Sequence, residues 1–138
     1  MQKDIDFVPV YDKDILLKIL HHENLGESMS DTGYNLDDPP MEDWTYVAIL
    51  DGEELIGLAA AQIFSNTQLI WHFGIRRKYW QHGSEKYGQN ILKRLNFLNK
   101  NLSHLTLVPL HKKLALAYAK RVGFKEIGKS KHYTILEF

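Results

Sequence analysis

Between Thr45 and Ile75 the chain carries three apolar runs separated only by short turns. Thr45–Leu50 and Leu55–Phe64 flank Asp51-Gly52-Glu53-Glu54, whose Asp-Gly start marks a hairpin turn. Gln68–Ile75 follows, with Leu69, Trp71, Phe73 and Ile75 on one face and Ile70 and His72 on the other. Such a centre commits the chain to a β-sheet, and every other segment has to cover that sheet or extend it.

The flanking segments supply the cover. Ile5–Val10 reads as a short strand, and Asp12 caps a helix with Ile15, Leu16, Ile19 and Leu20 on one face, ending near Gly26. A loop runs from Glu27 to Asp43, with Ser28, Ser30, Asp31, Gly33, Asn35 and the Asp38-Pro39-Pro40 break. A second helix is expected over about Gly83–Leu98, from Ile91, Leu92, Leu95 and Leu98 at helical spacing. Leu105–Val108 is another short strand, and Lys112–Val122 is a helix stopped by Gly123. Strands near Lys125–Gly128 and Tyr133–Phe138 close the chain. With 138 residues and no repeat or linker, one domain over 1–138 is expected: a mixed sheet flanked by helices.

Composition removes several classes of function. There is no cysteine, which excludes disulfide scaffolds, thiolate zinc sites and cysteine nucleophiles, and is compatible with a cytoplasmic protein. The first residues, Met1-Gln2-Lys3-Asp4-Ile5-Asp6, lack the apolar core of a signal peptide. No apolar run approaches the ~20 residues of a membrane span. Seven histidines include no pair spaced for a metal, so no metal site is expected. The 17 bases balance 17 acids, yet residues 1–56 hold fourteen acids against three bases and residues 57–138 the reverse. Either the basic part meets an anionic ligand, or the two parts pair with each other. Arg76, Arg77, Lys78, Lys86, Lys93 and Arg94 interleave with Tyr79, Trp80 and Tyr87, which also suits single-stranded nucleic acid. That reading ranks last, because a basic helix face is common.

The order of elements, with the text at two places, resembles the GNAT acyltransferase superfamily. The first place is Leu105-Thr106-Leu107-Val108 followed by Lys112 to Gly123-Phe124, where Ala115, Gly123 and Phe124 fall at the family's spacing. The second is the strand–turn–helix from Ile70 to Leu95. The resemblance implies an α+β fold layered α/β/α, with a mixed, mostly antiparallel central sheet. It also implies transfer of an acetyl group from acetyl-CoA to an amine. Aligned on Gly83, Ile75 takes the family's valine position and Arg77 its proline position, so the backbone around Ile75–Arg77 is expected to hold the pantetheine arm. The turn Gln81-His82-Gly83-Ser84 is expected to hold the pyrophosphate through backbone amides, helped by Arg76 or Lys112.

The match has departures. Trp80 replaces the usual Arg or Gln, and Glu85 stands where a small residue is normal, so its carboxylate would repel a diphosphate. Lys112 replaces the family's asparagine, and Ala119 stands where its acid tyrosine belongs. Tyr118, one residue earlier and about 100° around the helix, is the candidate acid. No Asp or Glu occurs between Glu54 and Glu85, so His72 on a central strand is the candidate base. The competing reading makes His72 a core histidine. His104, His132 and Tyr133 are weaker candidates. The acidic loop 27–43 would attract a cationic acceptor through Asp37 and Asp38. The alternative function is an inactive GNAT-shaped binding or assembly factor with a protein partner. The Ala115-x-x-x-Ala119-x-x-x-Gly123-Phe124 run is similar to tailed-phage head-assembly proteins of this kind.

Overall fold

The structure, a computed structural model, describes residues 5–26, 34–76, 79, 89–90, 92–94 and 101–138. In chain order they form β1 (Ile5–Pro9), α1 (Lys13–Leu20), β2 (Trp44–Asp51), β3 (Glu54–Ser65), β4 (Gln68–Ile75), β5 (Ser103–Pro109), α2 (Lys113–Val122), β6 (Lys125–Lys129) and β7 (Tyr133–Glu137). Of the helix expected over 83–98, residues 89–90 and 92–94 are described, and they are helical. The strands make one sheet in the order β1-β2-β3-β4-β5-β7-β6. β4 and β5 pair in parallel, from Gln68 opposite Ser103 to Ile70 opposite Leu105. β1 with β2, β2 with β3, β5 with β7 and β6 with β7 are antiparallel, so the sheet is mixed and mostly antiparallel. Among the described residues no helix is long and apolar enough to cross a membrane.

The chain forms two compact units, Met1–Gln62 with His72–Trp80, and Ile63–Trp71 with Gln81–Phe138. In the first, Asp12 caps α1 as its position implies: its Oδ1 accepts from the amides of Asp14 at 2.8 Å and Ile15 at 3.2 Å. Leu16 and Leu20 are fully buried, beside Val10, Leu25, Tyr34, Tyr46, Ala48, Leu58 and Ala60. Ile15, expected on that face, is exposed, because an eight-residue helix buries only a narrow stripe. The helix also stops at Leu20 rather than near Gly26: His22–Asn24 is a 3₁₀ turn in which Glu23 is left-handed, with φ 50°. Gly26 then donates back to the Leu20 carbonyl at 3.0 Å, closing the end.

The hairpin between β2 and β3 has Asp51 opposite Glu54, and Gly52 adopts φ 64°, the left-handed geometry such two-residue loops demand. β3 and β4 meet through bare backbone. A Cβ on Gly57 would lie 2.2 Å from the Gly74 carbonyl oxygen, and one on Gly74 would lie 2.5 Å from the Leu25 carbonyl oxygen. The first brings β3 against β4, and the second seats the segment after α1 directly on β4.

In the second unit the Gly123-Phe124 pair has the geometry its sequence suggests. Gly123 adopts φ 128° and donates to the carbonyls of Ala119 and Lys120, each at 3.2 Å. Phe124 is buried and meets the Phe138 ring edge-on, with centroids 5.7 Å apart. His104 is also buried: its Nδ1 accepts from the Trp71 indole at 2.8 Å, and Thr106 donates to the Trp71 carbonyl at 3.0 Å. This histidine is a core group, not a cleft residue.

Substituting Gly57→Ala is expected to cost about 3 kcal/mol of stability, since backbone must move to admit the methyl group. Gly128→Ala, where nothing lies within 4 Å of the added carbon, serves as the control and should change stability by less than about 0.5 kcal/mol. Urea unfolding of both variants checks this, and equal midpoints would contradict it.

Candidate functional site

The second half of β4 carries the candidate base. Parity places His72 on the opposite face from Trp71, as its pattern requires. Its ring stacks on Trp44 of β2, with centroids 5.4 Å apart and planes 25° from parallel. β3 runs between these strands. Side chains two strands apart start roughly 10 Å from one another, so they touch only over small neighbours. On β3 the face shared with Trp44 carries Ala60, fully buried opposite Tyr46, which supplies such a neighbour.

Burial lowers the His72 pKa from its ordinary value to about 4. Imidazole at this position is therefore neutral over the whole physiological range. Among the described residues no hydrogen bond reaches its ring nitrogens, so stacking on Trp44, and not a carboxylate, sets its orientation. A neutral imidazole accepts a proton, but with so acidic a conjugate acid it has to pass the proton on to water. The site thus suits a proton relay better than a proton store.

Trp44 belongs to a wider aromatic cluster. Tyr34 tilts against it at 5.3 Å and Tyr46 stacks on it at 6.0 Å. The Tyr46 hydroxyl donates to the Pro40 carbonyl at 2.5 Å, so the Tyr34 hydroxyl must donate to Tyr46, at 2.8 Å. Burial pushes the Tyr34 hydroxyl up to about 12 and raises Tyr46 as well, which keeps both protonated. The pair fastens the segment 34–40 to β2.

That segment is held on its outer side too. The Lys13 ammonium meets the Asp38 carboxylate, and His21 Nε2 lies 3.2 Å from the Leu36 carbonyl and 3.3 Å from Asp37 Oδ1. Asp37 and Asp38, expected to draw a cationic acceptor, thus already face a partner each. Residues 27–33 of the same loop lie outside the described residues.

At the end of β4, Arg76 has a built environment. Its Nε and Nη2 donate to the two carboxylate oxygens of Glu23, each at 2.9 Å, and its Nη1 to the Leu55 carbonyl at 2.9 Å and Glu54 at 3.4 Å. Its side chain is only 11% exposed. The left-handed backbone of Glu23 costs on the order of 1 kcal/mol, which the bidentate pair offsets. Glu23 and Trp44 both escaped the sequence reading: one is an ordinary acid in a helix tail, the other an aromatic at a strand start.

Of the other expected site residues, Ile75 ends β4 and is half-buried. Lys112 sits at the N-cap of α2 without a side-chain capping bond, its amide donating to the Pro109 carbonyl at 3.0 Å. Tyr118 is half-buried on α2, while Ala119, at the family's tyrosine position, is buried. His132 and Tyr133 meet edge-on, 6.4 Å apart. Arg77, Gln81, His82, Gly83, Ser84 and Glu85 lie outside the described residues. Among the described residues no cluster of His, Asp or Glu is placed to hold a metal ion.

Two consequences of His72 burial are measurable. Its folded pKa lies below the unfolded 6.5, so the unfolded chain alone takes up a proton as pH falls through that value. Stability should therefore be complete above about pH 6.5 and decline toward pH 4 by on the order of 3 kcal/mol. The variant His72→Gln should lose that part of the slope. Urea titrations at several pH values test this, and parallel curves for parent and variant would refute it.

No protein-family model and no curated protein sequence matches the chain. Solved structures do. An acetyltransferase from Thermus thermophilus superposes with a TM-score of 0.73 at 18% identity, covering 97% of this chain and 96% of that one. The N-acetyltransferase PseH of Campylobacter jejuni, in complex with acetyl coenzyme A, gives 0.68 at 11% identity, covering 97% of each chain. A variant of the spermidine N-acetyltransferase SpeG of Vibrio cholerae gives 0.72 at 12% identity, covering 97% and 92%. At such identities the likeness concerns architecture. The chain has the GNAT acyl-CoA acyltransferase fold.

Proposed function

We propose that this chain is an N-acetyltransferase that moves an acetyl group from acetyl-CoA to an amine. The observation that carries the reading is the likeness over 97% of the chain to N-acetyltransferases, one of them in complex with acetyl coenzyme A. In the reaction the amine nitrogen attacks the thioester carbonyl, a C–N bond forms, and the C–S bond breaks to release the CoA thiolate. The amine proton leaves through His72, neutral at pH 7 and oriented by Trp44, and onward to water. Tyr118 is the candidate to protonate the thiolate. Backbone around Ile75–Arg77 holds the pantetheine arm, and the turn 81–84, with Lys112, holds the phosphates. The spermidine enzyme among the similar structures makes a polyamine the first acceptor to try.

Calorimetric titration with acetyl-CoA at low salt tests the reading, with Glu85→Gly alongside. Micromolar binding by the unmodified chain, and thiol release with an amine panel, are expected. With His72 as the relay, His72→Gln should lower kcat by about 100-fold with little change in the KM for acetyl-CoA. The kcat profile should stay flat down to about pH 5, because the imidazole gains its proton only near pH 4. Binding that appears only after Glu85→Gly, or in neither form, would overturn the acyltransferase reading in favour of a binding or assembly factor.

A further inference from the structure

The resemblance makes Arg76 or Lys112 the helper of the pyrophosphate turn, but the surroundings of Arg76 assign it other work. Four of its five N–H donors are engaged, by Glu23, Glu54 and the Leu55 carbonyl. Its amide donates to the Ile56 carbonyl at 2.8 Å, and its carbonyl accepts from the Tyr79 amide at 2.9 Å. The guanidinium carbon lies 5.9 Å from the centre of the Tyr79 ring. One side chain thus ties together the 3₁₀ turn after α1, the start of β3 and the end of β4. Two further features concentrate on the same junction. Glu23 keeps a left-handed backbone that few non-glycine residues adopt, and Gly74 lies bare against the Leu25 carbonyl.

We propose that Arg76 is a positioning residue: with Glu23 it clamps the C-terminal end of β4 to the turn after α1 and does not itself bind phosphate. What the clamp positions, the acyl-CoA arm along the strand end, rests on the acyltransferase reading. The clamp itself does not. Its chemistry is a bidentate guanidinium–carboxylate pair between a covered arginine and an exposed Glu23, and the fork fixes direction as well as distance.

The test compares Arg76→Lys, Glu23→Asn and their combination. Lysine keeps the charge but loses the fork, whereas asparagine suits a left-handed backbone and removes the carboxylate. Both single variants should raise the KM for acetyl-CoA about tenfold, leave the KM for the amine unchanged, and gain nothing further when combined. If Arg76 touched phosphate directly, Glu23→Asn would free it, and acetyl-CoA would bind as tightly as before or more tightly. That result overturns the proposal. Hydrogen exchange on the free protein gives a second, ligand-independent reading. The Arg76 amide should exchange at least tenfold faster in each single variant, while melting temperatures confirm that both still fold. Unchanged exchange there defeats the clamp whatever the binding data. A parent chain that fails to bind acetyl-CoA defeats only the acyltransferase reading, and exchange still decides the clamp.

Discussion

The first unit depends on two places where backbone meets backbone with no side chain between. Gly57 on β3 lies against the carbonyl of Gly74 on β4, and Gly74 in turn lies against the carbonyl of Leu25 beyond α1. A methyl group at either place would force neighbours apart by more than a side-chain rotation can absorb. Because contact is that close, the turn holding Glu23 comes within reach of Arg76 at the end of β4. His72 lies two residues before Gly74 on the same strand, so its own setting depends on how that strand is seated.

The electrostatics follow from this packing more than from composition. The excess of acids in the first 56 residues and of bases in the remainder suggests either an anionic ligand for the basic part or pairing between the two stretches. Arg76 with Glu23 and Glu54 joins acid from one stretch to base from the other. Other pairs are local in sequence or exposed: Lys13 with Asp38, His21 with Asp37, Lys129 with Glu126. Exposed pairs of that kind contribute little, typically well under 1 kcal/mol. The Arg76 pair differs in geometry: its side chain is largely covered and its fork meets Glu23 through both carboxylate oxygens, although Glu23 itself is exposed.

Much of the fold was legible in the chain because its signals are local. The Asp-Gly turn, the Asp12 cap and the Gly123-Phe124 stop each act within a few residues, and each has the geometry its sequence implies. Alternation along Gln68–Ile75 likewise places His72 and Trp71 on opposite faces. Local pattern misleads where it competes with tertiary packing. Ile15 fits the helical stripe but is exposed, and α1 gives way to a 3₁₀ turn six residues before its expected end. His104 looked like a strand-start candidate, and its indole partner lies 33 residues away in sequence.

By itself, the sequence determined the class of structure: strands from alternation, helix ends from caps and glycine, and the exclusion of thiol chemistry from composition. It also placed a histidine on a central strand with no carboxylate nearby in the chain. Only the tertiary structure decided what that histidine is, since stacking on Trp44 and loss of water determine both its orientation and its proton affinity. The same holds for Arg76, whose partner Glu23 lies 53 residues earlier. Neighbouring residues reveal the preferences of the backbone, but desolvation and charge pairing depend on what folding brings together from far apart along the chain.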